Sequence, residues 1–147
     1  MNMYEEIASH KVRLLQEAQE LSTIFSEASK AVVASKLYGQ QTLIGTRVRV
    51  VGGSLTCEWF RKNFVSSKDN PYGKKKVFST YLRLGKGGRY SHTLFRREPE
   101  WARTLIESIE EQYSLLRKQW KSLTLMEREL RRFEAFEHER KVFKGGQ

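Results

Sequence analysis

The 147-residue chain predicts an α+β fold: a long N-terminal helix, a three- to four-stranded antiparallel β-sheet, and a long C-terminal helix forming a hairpin or coiled coil with the first. Three observations predict it. Apolar residues recur at helical spacing through both ends, β-branched residues punctuated by glycines fill the middle, and the charge balance changes at the same two boundaries. The length fits one domain over 1–147, divided into helix 1–36, sheet 41–97, helix 98–141 and a flexible tail 142–147.

From Tyr4 to Val32 the steps of three and four through Ile7, Leu14, Ala18, Leu21, Phe25 and Ala28 define one apolar stripe, broken at Lys11. After Lys36 the texture turns to strand. Thr42 to Val51 alternates, with Ile44, Thr46, Val48 and Val50 on one face and Arg47 and Arg49 on the other. Gly52-Gly53 suits a hairpin turn, because glycine takes positive φ at no steric cost, and Leu55, Cys57 and Trp59 then share a face of the returning strand. Ser66 to Gly73, holding Asp69-Asn70-Pro71, reads as a loop. Val77 to Leu84 is a third strand, Gly85 to Gly88 a turn, and Arg89 to Phe95 a candidate fourth strand.

Glu98-Pro99-Glu100 starts the second helix, since proline is tolerated in a first turn and carboxylates there complement the helix dipole. Its stripe runs through Trp101, Leu105, Ile109, Tyr113, Leu116, Trp120, Leu123, Met126, Leu130 and Phe133. Thr124 and Glu127 have capping-box spacing, so the helix either continues through them or restarts after a kink. Two long stripes exceed what a small sheet covers, which predicts packing of the helices on each other and, with any surplus, a homodimer.

Charge carries the functional argument. The formal net charge is +10, yet residues 1–40 sum to −1 and residues 98–147 to zero, so residues 41–97 alone hold +11. An excess confined to the sheet is the footprint expected where a polyanion is gripped. The candidate DNA contacts are Arg47, Arg49, Arg61, Lys62, Lys74, Lys75, Lys76, Arg83, Lys86, Arg89, Tyr90, Arg96 and Arg97. Guanidinium forks bind phosphate bidentately and ammonium groups neutralise it. Trp59, Phe60, Phe64, Phe78 and Tyr81 have the chemistry to stack on unpaired bases, but a sheet laid on two helices needs large apolar residues inside. Core packing is therefore the expected use of these aromatics, and double-stranded DNA ranks above RNA or single strands.

The turn at Gly85 to Arg89 brings glycines and cations together, but it lacks both the Walker A pattern and GxGxxG. His92, beside Arg89 and Arg96, offers acid-base chemistry of the kind a metal-free nuclease uses, with no nucleophile and orienting partner to complete a set. The single cysteine excludes an internal disulfide, and three scattered histidines form no zinc-ligand spacing, so neither metal nor cofactor is expected. Every apolar run is too short to span a bilayer, and Met1 to His10 has no leader pattern, which predicts a cytoplasmic protein.

Several segments together resemble the MobI family of conjugative-transfer proteins from integrative conjugative elements and related plasmids. They are Cys57-Glu58-Trp59-Phe60-Arg61, Lys75 to Tyr81, Gly85 to Ser91 and Glu100-Trp101, set between the N-terminal helix and the long terminal helix. The resemblance implies an accessory mobilisation factor that acts at the origin of transfer and assists a separate relaxase. It supplies no catalytic residues. The expectation is thus a non-enzymatic binder of double-stranded DNA, with a His92-centred nuclease or toxin-like ribonuclease, or a basic scaffold for an acidic protein, as alternatives.

Overall fold

The computed structural model describes residues 2–65 and 76–145. Helix α1 spans Met3–Ala34. Its start is a capping box: the Asn2 side chain accepts from the Glu5 amide at 2.8 Å, and the Glu5 carboxylate accepts from the Asn2 amide at 3.2 Å. It stops where Lys36 takes a left-handed conformation, φ +56°, while the Ser35 amide still donates to the Ala31 carbonyl.

Strands β1 (Ile44–Val51), β2 (Ser54–Val65) and β3 (Lys76–Tyr81) form one antiparallel sheet in the order β1-β2-β3. Gly52 and Gly53, both at positive φ, close the β1–β2 hairpin with Val51 opposite Ser54. The loop expected over Ser66–Gly73 lies outside the described residues.

The third strand ends at Tyr81, three residues before the expected limit. Leu82 still donates to the Trp59 carbonyl at 3.0 Å, but the next carbonyl along that edge of β2, on Cys57, is taken by Arg117 Nη2 at 2.7 Å. A side chain rather than a strand partner therefore meets the sheet edge there. Nor does Arg89–Phe95 form a fourth strand. The Tyr90 amide donates to the Glu110 carboxylate, the Arg89 carbonyl accepts from Gly85, and His92–Phe95 winds into a 3₁₀ turn capped by Ser91. Local partners there replace a strand ladder.

Helix α2 spans Glu100–Gly145 without interruption, so the continuous version of the C-terminal helix is the observed one. It also runs past residue 141, because Lys141 to Lys144 contains no helix breaker. The two helices form an antiparallel hairpin: Phe25 stacks on Trp101 near one end, and Tyr4 Oη donates to Glu134 at 2.8 Å near the other. Lys11, the break in the first stripe, reaches across the seam to Glu127 at 3.6 Å and lies over the Trp120 ring. At about 1.5 Å per residue α2 outlasts α1 by roughly 20 Å. Trp120 Nε1 donates to the Gly53 carbonyl at the tip of the sheet. Farther along α2, Met126 and Phe133, expected in the stripe, are exposed.

The core lies between the hairpin and the inner face of the sheet. Ile44, Leu55, Cys57 and Trp59 pack against Leu14, Leu21 and Phe25 of α1 and Ile106, Ile109, Tyr113 and Leu116 of α2. Trp59 has no exposed surface and meets Phe25, Phe95 and Tyr113 with ring centroids 5.2 to 5.8 Å apart.

Candidate nucleic-acid interface

Alternation along β2 separates two chemistries. Odd-numbered Leu55, Cys57 and Trp59 are buried, while Thr56, Glu58, Phe60, Lys62 and Phe64 point to the uncovered face. Register places Arg47 opposite Glu58, Phe60 opposite Tyr81, Lys62 opposite Ser79 and Phe64 opposite Val77. Arg47 Nη2 bonds Glu58 at 3.0 Å and its guanidinium stacks 4.5 Å over the Tyr81 ring, while Arg49 reaches the same carboxylate at 3.5 Å. The strand arginines, which have few acidic neighbours in sequence, thus share one across the hairpin. Phe60 lies over Gly45 so closely that a Cβ there has no room, and it meets Tyr81 at 5.5 Å.

The aromatic residues expected in the core divide. Trp59 is the centre of the core, but Phe64 (50% exposed) and Tyr81 (42%) lie on the uncovered face beside the half-buried Phe60. Phe78 belongs to the helix-side face and is half exposed, opposite Asn63. The physical reason is that the helices cover only one side of the sheet, so the opposite face keeps its large side chains in solvent.

A second basic surface surrounds the segment after β3. Gly87 and Gly88, both at positive φ, turn the chain so that Gly85 to Arg96 lies along the first turns of α2. Between them is a cleft of about 690 Å³. Lys86, Arg89, Arg96 and Arg103 are its exposed cationic lining, with His92 among them, against Glu100 and Glu107, and Tyr90, Phe95 and Ile106 form its buried wall. Lys62, Arg83, Lys86, Arg89, Arg96 and Arg97 are exposed and form no ion pair among the described residues. Arg61 instead points to the helix side, bonding the Leu94 carbonyl at 3.4 Å and approaching Glu98 at 3.6 Å. Tyr90 is buried in the core beside the Arg117 guanidinium, and desolvation is the chief cause that raises its hydroxyl pKa. Lys74 and Lys75 lie outside the described residues, as does the side chain of Lys76.

Sequence reasoning missed a buried ion pair behind the cleft. Glu110, 3% exposed, accepts from both Arg117 terminal nitrogens at 2.8 Å, from Trp59 Nε1 at 3.0 Å and from the Tyr90 amide at 3.1 Å. Arg117 also donates to the Cys57 and Gly88 carbonyls. Burial alone would lower its pKa, but the Glu110 hydrogen bonds and charge outweigh this and raise it. The available signal was the spacing of seven, which sets opposite charges on one helical face beside Ile109, Tyr113 and Leu116. Arg103 was also missed, because charge in its own segment balances to zero. The Cys57 thiol, pushed up to about 12 by burial, is no nucleophile at neutral pH.

A protein-family model described as MobI protein matches residues 14–131, a span from within the first helix, across the whole sheet, to the later turns of the second. No curated protein and no solved structure gives a significant match.

Proposed function

We propose, from the premise that this chain belongs to the MobI family, that within conjugative mobilisation it acts as a non-enzymatic accessory factor binding double-stranded DNA at an origin of transfer, alongside a relaxase. The observation that carries the reading is the set of exposed cations without ion-pair partners, among the described residues, around the Gly85 to Arg97 segment. Holding like charges together costs stability, and a phosphate backbone offsets that cost. Lys86, Arg89 and Arg96 line the cleft, and the exposed Arg97 adds charge next to it in sequence. The buried Glu110–Arg117 pair anchors the turn behind them through the Tyr90 amide and Gly88 carbonyl.

Binding then follows counterion release. If about six phosphates are neutralised, log K against log salt falls with a slope near −5. Titration of labelled duplex DNA over a salt series measures it, and a slope near zero removes the electrostatic basis of the reading. The same mixtures, analysed for intact strands and repeated with RNA, would show cleavage if His92 served a nuclease. Fragment selection from the protein's own mobile element should enrich one noncoding region.

A further inference from the structure

The uncovered face of the sheet has a composition that duplex binding does not use. Phe60, Phe64 and Tyr81 lie there with Val77 among them, and Phe64 and Val77 are each at least half exposed. Among the described residues of the paired strands, Arg47, Arg49 and Lys62 share the face with one carboxylate, Glu58, a net charge of +2. Same-face neighbours along a strand stand about 7 Å apart, which sets Phe60 and Phe64 about 13 Å apart with Lys62 between them. From this juxtaposition we infer that the uncovered face is a stacking platform for the unpaired bases of single-stranded DNA.

Each part of the face suits that occupant. An exposed ring meets a base only where the base is unpaired, because a duplex turns its base faces inward and presents phosphates. Phe60 is held against Gly45 and Tyr81, and Tyr81 is held by the Arg47 guanidinium, so two of the rings are set before a ligand arrives. Glu58 is engaged by Arg47 and Arg49, which leaves Lys62 directed at solvent between the aromatic rows, where a backbone phosphate would lie. A second copy of the same face is a poor occupant, since it would bring two surfaces of the same net positive charge together. Rings with a cationic rim also permit binding of any base sequence, as every base has a π-face.

The inference rests on DNA as the ligand but on a different surface from the cleft, and the two separate experimentally. Fluorescently labelled oligo-deoxythymidine and a duplex of equal length are titrated with the full chain and with Phe64→Leu/Tyr81→Leu. This variant keeps apolar surface while removing two ring faces. Its affinity for the oligonucleotide should fall by about tenfold or more, with duplex affinity unchanged. A separate Phe64→Trp chain places an indole on the platform, and its added emission should be quenched by the oligonucleotide and not by the duplex. A wild-type chain that binds duplex alone overturns the platform and spares the proposed function, whereas binding neither overturns both. An unchanged oligonucleotide affinity in the Leu variant, an equal loss for both ligands, or an added indole emission that the oligonucleotide leaves unquenched likewise overturns the platform.

Discussion

Strand β2 shows two regions of the molecule handling charge in opposite ways. On its inner side Trp59 is fully buried and its indole nitrogen donates to Glu110, a carboxylate whose remaining capacity goes to Arg117 and the Tyr90 amide. On its outer side Glu58 satisfies two arginines at the surface, and Lys62 faces solvent. Inside, removing a partner strands a charge in a medium that cannot hydrate it; outside, water substitutes at little cost. The inner network therefore holds the fold, and the outer charges remain available to a ligand.

The largest test of that contrast is Glu110. Glu110→Ala leaves Arg117 buried without its counter-charge and should destabilise the protein by about 3–5 kcal/mol in urea melts. The combined Glu110→Leu/Arg117→Met exchange should cost clearly less than Glu110→Ala, because it removes both charges together. Equal costs would mean that the pair acts only as packing volume. At the surface, Lys62→Ala should stay within about 0.5 kcal/mol of the parent.

The seam is next in size. Leu116, at 5% exposure, packs in the cluster with Tyr113, Trp120 and Leu21. Leu116→Ala should cost about 2–5 kcal/mol. Met126, in the same predicted stripe but exposed, should tolerate alanine with little change. A similar loss at both positions would extend the seam past the edge of the sheet.

Periodicity made these elements legible to different degrees. The α1 stripe from Ile7 to Phe25 and the hairpin at Gly52-Gly53 are local signals, fixed by side-chain spacing and glycine φ preference, and both are observed. Past the end of β3 the Cys57 carbonyl is met by Arg117, a residue 60 positions away. No local pattern contains that information. The basic site was legible as charge but not as geometry. Counting cations along the chain found the segment, whereas cross-strand register decides that Arg47 and Arg49 share Glu58 and that Arg61 turns inward.

Those pairings rank the arginines for DNA binding. Arg96 and Arg97 are exposed without ion pairs among the described residues, so Arg96→Ala/Arg97→Ala should flatten the salt slope by about one for each phosphate that is no longer neutralised. Arg47→Ala/Arg49→Ala should flatten duplex binding less, since both cations are partly neutralised already. Arg131 and Arg132 are matched by Glu127 and Glu129 on their own helix and should matter least. A larger duplex loss from the strand pair than from the Arg96 and Arg97 pair would shift the binding surface from the cleft side to the sheet.

The effect at Thr124 is decided by its sign. Thr124 sits inside α2, half-buried, with a hydroxyl that is shielded from solvent and finds no hydrogen-bond partner among the described residues. In a restarted helix that hydroxyl would cap the Glu127 amide, and losing it would cost about 1 kcal/mol. In the continuous helix observed, the hydroxyl is an unpaired polar group and gains nothing from its position. Thr124→Val keeps the β-branch and nearly the same volume and helix propensity, while replacing the hydroxyl with a methyl. It should therefore raise stability by about 1 kcal/mol, read as a higher urea midpoint at unchanged slope. A lower midpoint would mean that Thr124 caps a helix start in solution, and that the C-terminal arm is two helices joined at a kink.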